Sequence, residues 1–276
     1  VMLAGAVRSY VNRFGVTPGR RLAVFTNNED GLRTATDLAA NGVHVSAVID
    51  ARKGEFVVDT SGRKGLRSIT LNDGRRIEAD CLAVSGGWSP NVNLTCHHRG
   101  RPVWNDTVMG FVPGNDLPAG MQVAGAANGQ MTLAAALASG HDAAKAMARD
   151  LGFGRGAGNA PKASDETFDT SAHWYITEST SRAWVDLQND VTAKDIEQSL
   201  SEGFSAVEHV KRYTTLGMAT DQGKTSNTLG IAIMAAASGN AIPDTGTTIY
   251  RPPYTPVAIG AFAGRARGKE FRPFRL

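Results

Sequence analysis

Residues 211–227 hold the side chains whose types and spacing come nearest to a known chemistry, the binding of phosphate. The run Gly-Lys-Thr-Ser at 223–226 offers backbone N–H groups, an ammonium and two hydroxyls. A phosphate-binding P-loop, however, places four residues between its first glycine and the Gly-Lys-Thr triplet. Five residues separate Gly217 from Gly223, and residues 206–213 have a helical pattern where a P-loop needs a strand. We therefore reject a P-loop.

The same stretch resembles the cysteine-binding half of the small helical [2Fe–2S] domain related to bacterioferritin-associated ferredoxin. The other half of that domain's cluster motif falls on residues 186–192. In this alignment the four cysteine positions hold Asp186, Gln188, Asp221 and Ser226. Because four thiolates usually hold such a cluster, we expect the helical scaffold without an iron–sulfur cluster.

Length and composition indicate a globular protein of about two domains. The chain has 276 residues, of which 42% are hydrophobic and 20% charged, and its formal net charge is +3. The basic run at 265–269 is too short to indicate nucleic-acid binding. No apolar run is long enough to span a bilayer, and a secretory signal pattern is absent. Neither nucleic acid nor membrane is an expected partner.

The reactive side chains outside residues 211–227 form no recognisable site. Two cysteines, Cys81 and Cys96, cannot build a disulfide framework and favour a reducing, cytoplasmic setting. His97 and His98 adjoin Cys96, but neighbouring residues do not converge easily on one metal ion. Spacing suggests no Ser/His/Asp set. We assign neither a catalytic residue nor a metal ligand.

A strand–helix–strand pattern over residues 20–50 has the outline of a dinucleotide-binding half. The helix is expected at 32–41, and the second strand ends in Asp50. The turn at 26–31 has one glycine and two carboxylates, which would repel a pyrophosphate, so the glycine fingerprint is missing. Asp50 could bind a ribose hydroxyl, but we favour an ordinary strand end.

The remaining α/β elements follow from hydrophobic period and turn residues. The chain is expected to start inside a helix, with apolar residues at helical spacing from Leu3 to Val11. Strands are expected at 56–58, 68–71, 75–78 and 80–84, with a hairpin turn at 72–74.

Two later segments resemble successive motifs of flavoprotein reductases with two dinucleotide-binding domains. Residues 85–91 (Ser-Gly-Gly-Trp-Ser-Pro-Asn) resemble their Thr-Gly-x-x-Pro-Asn crossing. Residues 121–129 resemble their Val-Ala-Gly-Asp turn, with Ala126 replacing the aspartate that holds the flavin ribityl chain, and a helix follows at 131–151. The implied nucleotide contacts are Gly86, Gly87, Gly125, Ala126, Asn128, Met131 and Leu133. NAD or another adenine nucleotide fits as well as FAD, and a plain strand-to-helix turn is the alternative.

The carboxyl-terminal part is predicted to be helical after a polar linker. Helices are expected at 193–202, with Thr192 as N-cap, and at 206–213 and 229–239. The Pro/Thr-rich segment 241–260 is expected to be extended.

In this order, the features resemble the alpha subunit of heterotetrameric sarcosine oxidase. The implied fold is α/β, a Rossmann-like part of the flavoprotein type followed by a cysteine-free helical domain. The expected divisions are an edge of a nucleotide-binding domain (1–18), a degenerate NAD(P)-binding domain (19–84), the returning FAD/NAD-binding part (85–152), a linker (153–172), the helical domain (173–240) and an extended segment (241–276). The sequence is expected to lack the family's amino-terminal glycine-rich motif and carboxyl-terminal folate domain.

The resemblance also implies an oxidoreductase that acts only as part of a complex. In that family sarcosine is oxidised to glycine with release of hydrogen peroxide, and a one-carbon unit passes to tetrahydrofolate on the folate domain. NAD is held by alpha, FMN lies between alpha and beta, and FAD sits on beta. The implied partners are the beta, gamma and delta subunits.

Lys224, Thr225 and Ser226 are the residues for which we expect contact with FMN. A domain that has lost its cluster can still face the flavin, and these residues supply a positive charge and hydroxyls. The alternative is a helix cap with a solvated lysine. A different function, a non-catalytic nucleotide-binding scaffold in an amino-acid or opine dehydrogenase complex, also fits the sequence. An ordinary NAD(P)H-dependent flavin reductase fits less well without the glycine fingerprint.

Overall fold

The computed structural model describes residues 1–97, 99–153, 158–164, 166–179, 181–248, 250, 255 and 257–263. His98 and the basic run at 265–269 lie outside these residues. So does the proline-rich run at 251–256, except for Thr255.

The described residues form an α/β part followed by a mainly helical part. The strands are β1 (Met2–Leu3), β2 (Leu22–Thr26), β3 (Val45–Asp50), β4 (Val57–Ser61), β5 (Ser68–Leu71), β6 (Arg76–Glu78), β7 (Cys81–Ser85), β8 (Val103–Asn105), β9 (Gly110–Val112), β10 (Trp184–Asp186) and β11 (Val191–Thr192). The α-helices are α1 (Ala4–Phe14), α2 (Glu29–Ala40), α3 (Asn93–Cys96), α4 (Leu133–Asp150), α5 (Ala193–Ser201), α6 (Val207–Thr214), α7 (Asn227–Ser238), α8 (Ile242–Thr245) and α9 (Ile259–Ala263).

A four-stranded parallel sheet in the order β1-β7-β2-β3 is the centre of the first part. Its central strands are apolar along their length because both faces are covered. Val7 of α1 and Leu38 of α2 are buried in the cluster on one face. Ile49 and Ile69 are buried in a second cluster, which joins this sheet to strands β4 to β6. The predicted strands and helix between residues 20 and 84 are confirmed.

The start of the chain differs from the prediction. Met2 and Leu3 form a strand that pairs with Ala83 and Val84 of β7, and the helix begins only at Ala4. Their hydrogen bonds to the buried strand β7 therefore outweigh the helical pattern of the sequence at this end. Met2 and Leu3 thus join the parallel sheet that contains β2, β3 and β7.

The antiparallel strands β4, β5 and β6 form a separate sheet in that order. The turn at residues 72–74 joins β5 and β6, and Gly74 has a φ of 83°. Glycine adopts this conformation without the strain of a side chain. The predicted hairpin is confirmed.

The helical part packs around residues from α5, α6 and α7. Ile196, Val210 and Ile231 are buried in one cluster, and Phe111 of β9 belongs to the same cluster. Thr192 and Asp195 form a capping box at the start of α5, which confirms the predicted N-cap. Phe111 joins the segment at 85–152 to the helical part.

Other elements also depart from the expectations. The described residues just before Gly125 form no strand, and a 3-10 helix at Gly125–Asn128 precedes α4. The hairpins β8–β9 and β10–β11 lie at positions where no strand was predicted. The segment at 241–260 contains α8, whose first turn includes Pro243, so it is not wholly extended. Among the described residues, no helix has the length and apolarity needed to cross a membrane.

Two glycines of the P-loop-like stretch allow the chain to pass close to one buried amide. Gly217 and Gly223 have φ values of 68° and 72°, and the side chain of Asn227 lies between them. A Cβ atom would be 2.3 Å from Asn227 Oδ1 at Gly217 and 2.0 Å from it at Gly223. The glycine spacing that suggested phosphate chemistry is therefore explained by packing around Asn227.

We expect Gly223→Ala to lower the free energy of unfolding by about 3 kcal/mol, because it adds a clash to the strain of a positive φ. Gly239 is a matched control, since its φ is 68° but no atom lies within 4 Å of the point that a Cβ would occupy there. Gly239→Ala should cost only about 1 kcal/mol. Urea unfolding followed by circular dichroism measures both. Equal losses in the two variants would contradict the clash.

Candidate functional site

The two segments that correspond to the cysteine-binding halves lie against each other. The Asp186 carboxylate accepts a hydrogen bond from the Gly217 N–H at 2.8 Å. The Gln188 side chain accepts one from the Thr220 hydroxyl at 3.2 Å, and Asn189 Nδ2 donates to the Thr215 carbonyl at 2.9 Å. Polar contacts between protein groups therefore join the two loops.

Of the four aligned positions, Asp186 and Asp221 accept local hydrogen bonds through their carboxylates. Asp186 is buried and also accepts from the backbone N–H groups of Gln188 and Asn189. The Asp221 carboxylate accepts from the Gly223 N–H and the Thr225 hydroxyl, while Ser226 is buried. Among the described residues, no group of three or more His, Cys, Asp or Glu side chains is placed to hold a metal ion.

Neither cysteine is a metal-ligand candidate in its present setting. Cys81 and Cys96 are both buried and free. Burial raises the pKa of each thiol, and the thiol form is a poor ligand and nucleophile.

A cleft of about 800 Å³, called the first cleft below, lies at the carboxyl ends of three parallel strands. Leu3, Phe25 and Ser85 line it from β1, β2 and β7, and Lys224 and Thr225 line it from the helical part. Ligands of open α/β sheets bind at this edge, because loops after parallel strands meet there. Residues 170–176 complete the wall.

A second cleft, of about 360 Å³, adjoins the first. It is lined by Gly87, Ala126 and Met131 among others. Gly86, Gly87, Lys224 and Thr225 line the first cleft. The other expected contacts line neither cleft, and these are Gly125, Asn128, Leu133 and Ser226. The structure thus brings about half of the predicted site residues to one pair of clefts.

The N–H groups at the amino-terminal end of α4 already donate hydrogen bonds to side chains of the chain. The Leu133 N–H donates to the Glu166 carboxylate at 3.1 Å, and Thr132 caps the helix by accepting from Ala135. The Gly125 N–H donates to the Ser139 hydroxyl at 3.2 Å. A phosphate that approached Leu133 would have to displace a carboxylate of like charge.

The turn between β2 and α2 is covered by residues 169–171. The Glu29 N–H donates to the Asp169 carbonyl at 3.2 Å, and Asn28 pairs with Thr170. The Asn27 side chain donates to the Ser171 carbonyl at 2.6 Å. This turn is where the glycine fingerprint of a dinucleotide-binding half would meet a pyrophosphate. The chain's own backbone lies there instead.

Arg52 ties the same region together electrostatically. Its guanidinium lies 2.8 Å from carboxylate oxygens of both Asp50 and Asp169, and it also contacts Glu29. The hydrogen bonds from Arg52 lower the pKa of Asp50, although burial opposes them. Asp50, the candidate ribose ligand, therefore serves as the partner of Arg52.

Sequence reasoning missed Trp88 and His173, which both line the first cleft. Trp88 lies inside the quoted motif at 85–91, so an aromatic residue in that loop was the available signal. His173 contacts the rings of Phe25 and Phe56, each with 5.5 Å between centroids. Burial lowers the pKa of His173, which favours the neutral imidazole. Sequence spacing carries no signal for His173.

Comparison with known proteins finds relatives along the whole chain. The model of the sarcosine oxidase A3 domain matches residues 180–265. The sarcosine oxidase subunit alpha of Rhizobium meliloti (strain 1021) is 42% identical over 100% of the chain. Over its whole length the chain is a homologue of the sarcosine oxidase alpha subunit. The alpha subunit of Corynebacterium sp. (strain P-1) is 37% identical over the same full length.

The chain spans 30% and 32% of the length of these two alpha subunits. Among solved structures, the L-proline dehydrogenase from P. horikoshii has a similar fold, with a TM-score of 0.71 and 18% identity. That similarity covers 91% of this chain and 51% of the dehydrogenase chain. The α/β architecture is therefore shared beyond the sarcosine oxidase homologues.

Arg52→Gln should lower the free energy of unfolding by about 3 kcal/mol, because it leaves the Asp50 carboxylate buried without its partner. The Asp50 side chain is only 3% exposed and that of Arg52 14%. The double variant Arg52→Gln/Asp50→Asn should recover most of the loss, since an amide carries no charge to bury. Urea unfolding at pH 7 checks both, and a double variant as unstable as the single one would contradict the ion-pair account.

The same pair predicts a dependence on pH. The folded-state pKa of Asp50 lies below its unfolded value, so its contribution is fully present above the unfolded pKa, near 4. It is lost as the pH falls through the folded pKa. The stability difference between the parent chain and the double variant should therefore narrow below about pH 4. A difference that stays constant from pH 7 to pH 3 would argue against this assignment.

Proposed function

We propose that this chain is part of an alpha subunit that supports the oxidative demethylation of sarcosine to glycine, with hydrogen peroxide as a product. The observation that carries the proposal is the 37–42% identity to sarcosine oxidase alpha subunits along the whole chain. Since the chain spans about a third of those subunits, the activity belongs to a larger assembly. The chain by itself is expected to be inactive.

Within that assembly, the first cleft contributes to an FMN interface. Its volume of about 800 Å³ lies in the usual range for small-molecule sites, roughly 300–1,000 Å³. Aromatic side chains line it, while Lys224 and Thr225 add a positive charge and a hydroxyl. This set of groups fits a flat ring with a phosphate tail. FMN would supply the redox chemistry when bound, and these residues would bind and orient it.

The second cleft is the proposed position of nucleotide contact. Gly87, Ala126 and Met131 lie on its wall, and Gly125, Asn128 and Leu133 belong to the adjoining turn and helix start. NAD is the nucleotide that the resemblance implies for alpha, and Glu29 and Asp30 on the same wall limit the proposed contact to the uncharged parts of that nucleotide. Glu166 faces Leu133, so binding of a phosphate at that helix end requires Glu166 to move.

The remaining assignments follow from the family resemblance. FAD lies on the beta subunit and FMN between alpha and beta, while tetrahydrofolate is bound by a carboxyl-terminal domain of alpha. Beta, gamma and delta subunits are the partners, in the cytoplasm, and the helical domain holds no iron–sulfur cluster. Ser226 is proposed near the flavin through its place beside Thr225, although it lines neither cleft.

A non-catalytic scaffold in a related amino-acid or opine dehydrogenase complex is the second candidate. The turn between β2 and α2 favours this candidate, because residues 169–171 cover the place where a dinucleotide would bind. A subunit without a dinucleotide there fits a structural role. Substrate-dependent peroxide production separates the two candidates.

The test is purification of the complete alpha subunit containing this chain together with its partner subunits. Flavin and sarcosine-dependent peroxide are expected, without an iron–sulfur absorbance band. Lack of both flavin and peroxide would refute the main proposal, and an iron–sulfur band would refute the loss of the cluster.

Lys224→Gln in that complex should weaken retention of FMN about tenfold, because a hydrogen bond to a charged group contributes about 1.5–3 kcal/mol. Lys64, an exposed lysine that lines none of the clefts, provides the control Lys64→Gln. Flavin content after dialysis measures the effect. Equal flavin content in the two variants would count against a phosphate contact by Lys224.

A further inference from the structure

Trp88 is exposed where the two clefts meet. Its exposed fraction is 61%, and it lines both the first and the second cleft. An exposed indole at the lip of a cleft is a common sign of a binding contact, because it offers a large flat apolar face. Trp88 lies within the motif at 85–91, but it is not among the predicted site residues.

The backbone around Trp88 is held in place. Gly87 has a φ of 98°, and Pro90 is buried two residues after the tryptophan. Ser89 donates a hydrogen bond to the Thr228 hydroxyl of α7 at 3.4 Å. At Gly110 a Cβ atom would lie 3.0 Å from Pro90, so β9 packs closely against this loop. An aromatic ring on such a loop loses little further freedom on binding.

The charges of the two clefts indicate which one takes a phosphate. The charged residues that line the first cleft are Lys224, Arg182 and Asp30, which sum to +1 from two cations and one anion. Those of the second are Arg33, Glu29 and Asp30, which sum to −1. A phosphate is therefore favoured in the first cleft, on the side of Lys224.

We infer that Trp88 is the stacking platform for the ring of a mononucleotide in the first cleft, whose phosphate points towards Lys224. This inference rests on the proposed FMN interface and adds the orientation of the ligand. The ring lies at the junction of the clefts, against the indole, and the phosphate lies against the helical part. Gly86 and Gly87 leave room for the ring, since no atom lies within 4 Å of a Cβ at Gly86 and only Thr170 Oγ1, at 3.5 Å, at Gly87.

Two probes separate the ring from the phosphate, namely FMN and riboflavin, which lacks the phosphate. Both are titrated into the flavin-free complex of the complete alpha subunit and its partner subunits, with circular dichroism to confirm that each variant is folded. Trp88→Ala should lower the affinity for FMN and the affinity for riboflavin equally, each about tenfold, or about 1.4 kcal/mol. Lys224→Gln should lower the affinity for FMN and leave the affinity for riboflavin unchanged.

Two further variants control for nonspecific effects. Trp88→Phe should keep the affinity within about threefold, because a smaller ring still stacks, but the quenching of flavin fluorescence by a stacked indole should be lost. Trp184 is 42% exposed and lines neither cleft, so Trp184→Phe should change neither the affinity for flavin nor the quenching of its fluorescence.

The outcomes distinguish the inference from the function on which it rests. If the parent complex binds FMN but Trp88→Ala binds it equally well, the stacking role is refuted and the interface remains. If Trp88→Ala lowers the affinity for FMN but not for riboflavin, Trp88 lies near the phosphate and not near the ring. That result would refute the inference as well. If the complete subunit complex binds no flavin, the proposed interface itself fails. Loss of subunit assembly in Trp88→Ala with unchanged FMN binding would make Trp88 a protein contact instead.

Discussion

The arrangement of this protein depends on the contacts that fasten residues 166–171 to the edge of the parallel sheet. Asn27 and Asn28 bond to the backbone of this segment, and Arg52 reaches Asp169 while holding Asp50. The segment continues to residues 173–176, which line one wall of the first cleft. The same contacts that close the turn after β2 therefore shape the cleft beside it.

Charge distinguishes the turn after β2 from the first cleft. Glu29 and Asp30 stand at the start of α2, where a pyrophosphate would need glycines and free N–H groups. Arg52 compensates these carboxylates and Asp50, so the region is stable as a structural joint. Lys224, on the opposite side, faces the first cleft. The proposed ligand position follows this separation of negative and positive groups.

In the helical part, hydrogen bonds join the loops at residues 186–189 and 215–220. A buried carboxylate at Asp186 accepts three backbone N–H groups, one of them from the facing loop at Gly217. Thiolates of iron–sulfur sites accept similar N–H groups, so a carboxylate can replace one with little change in the loops. The glycines at 217 and 223 persist because Asn227 fills the space between them.

The sequence by itself determined the strands between residues 20 and 84, the hairpin turn at Gly74 and the helices of the carboxyl-terminal part. These follow from local period, turn chemistry and residue type, which act over a few neighbours. Only the tertiary structure decided that Met2 and Leu3 pair with β7, that Asp169 meets Arg52, and that Glu166 reaches the start of α4. Trp88 and Lys224 likewise lie far apart in the sequence, and they line one cleft only because the folded chain brings a strand end and a helical loop together. Such contacts join residues that are distant in the sequence, for which no short-range pattern carries a signal.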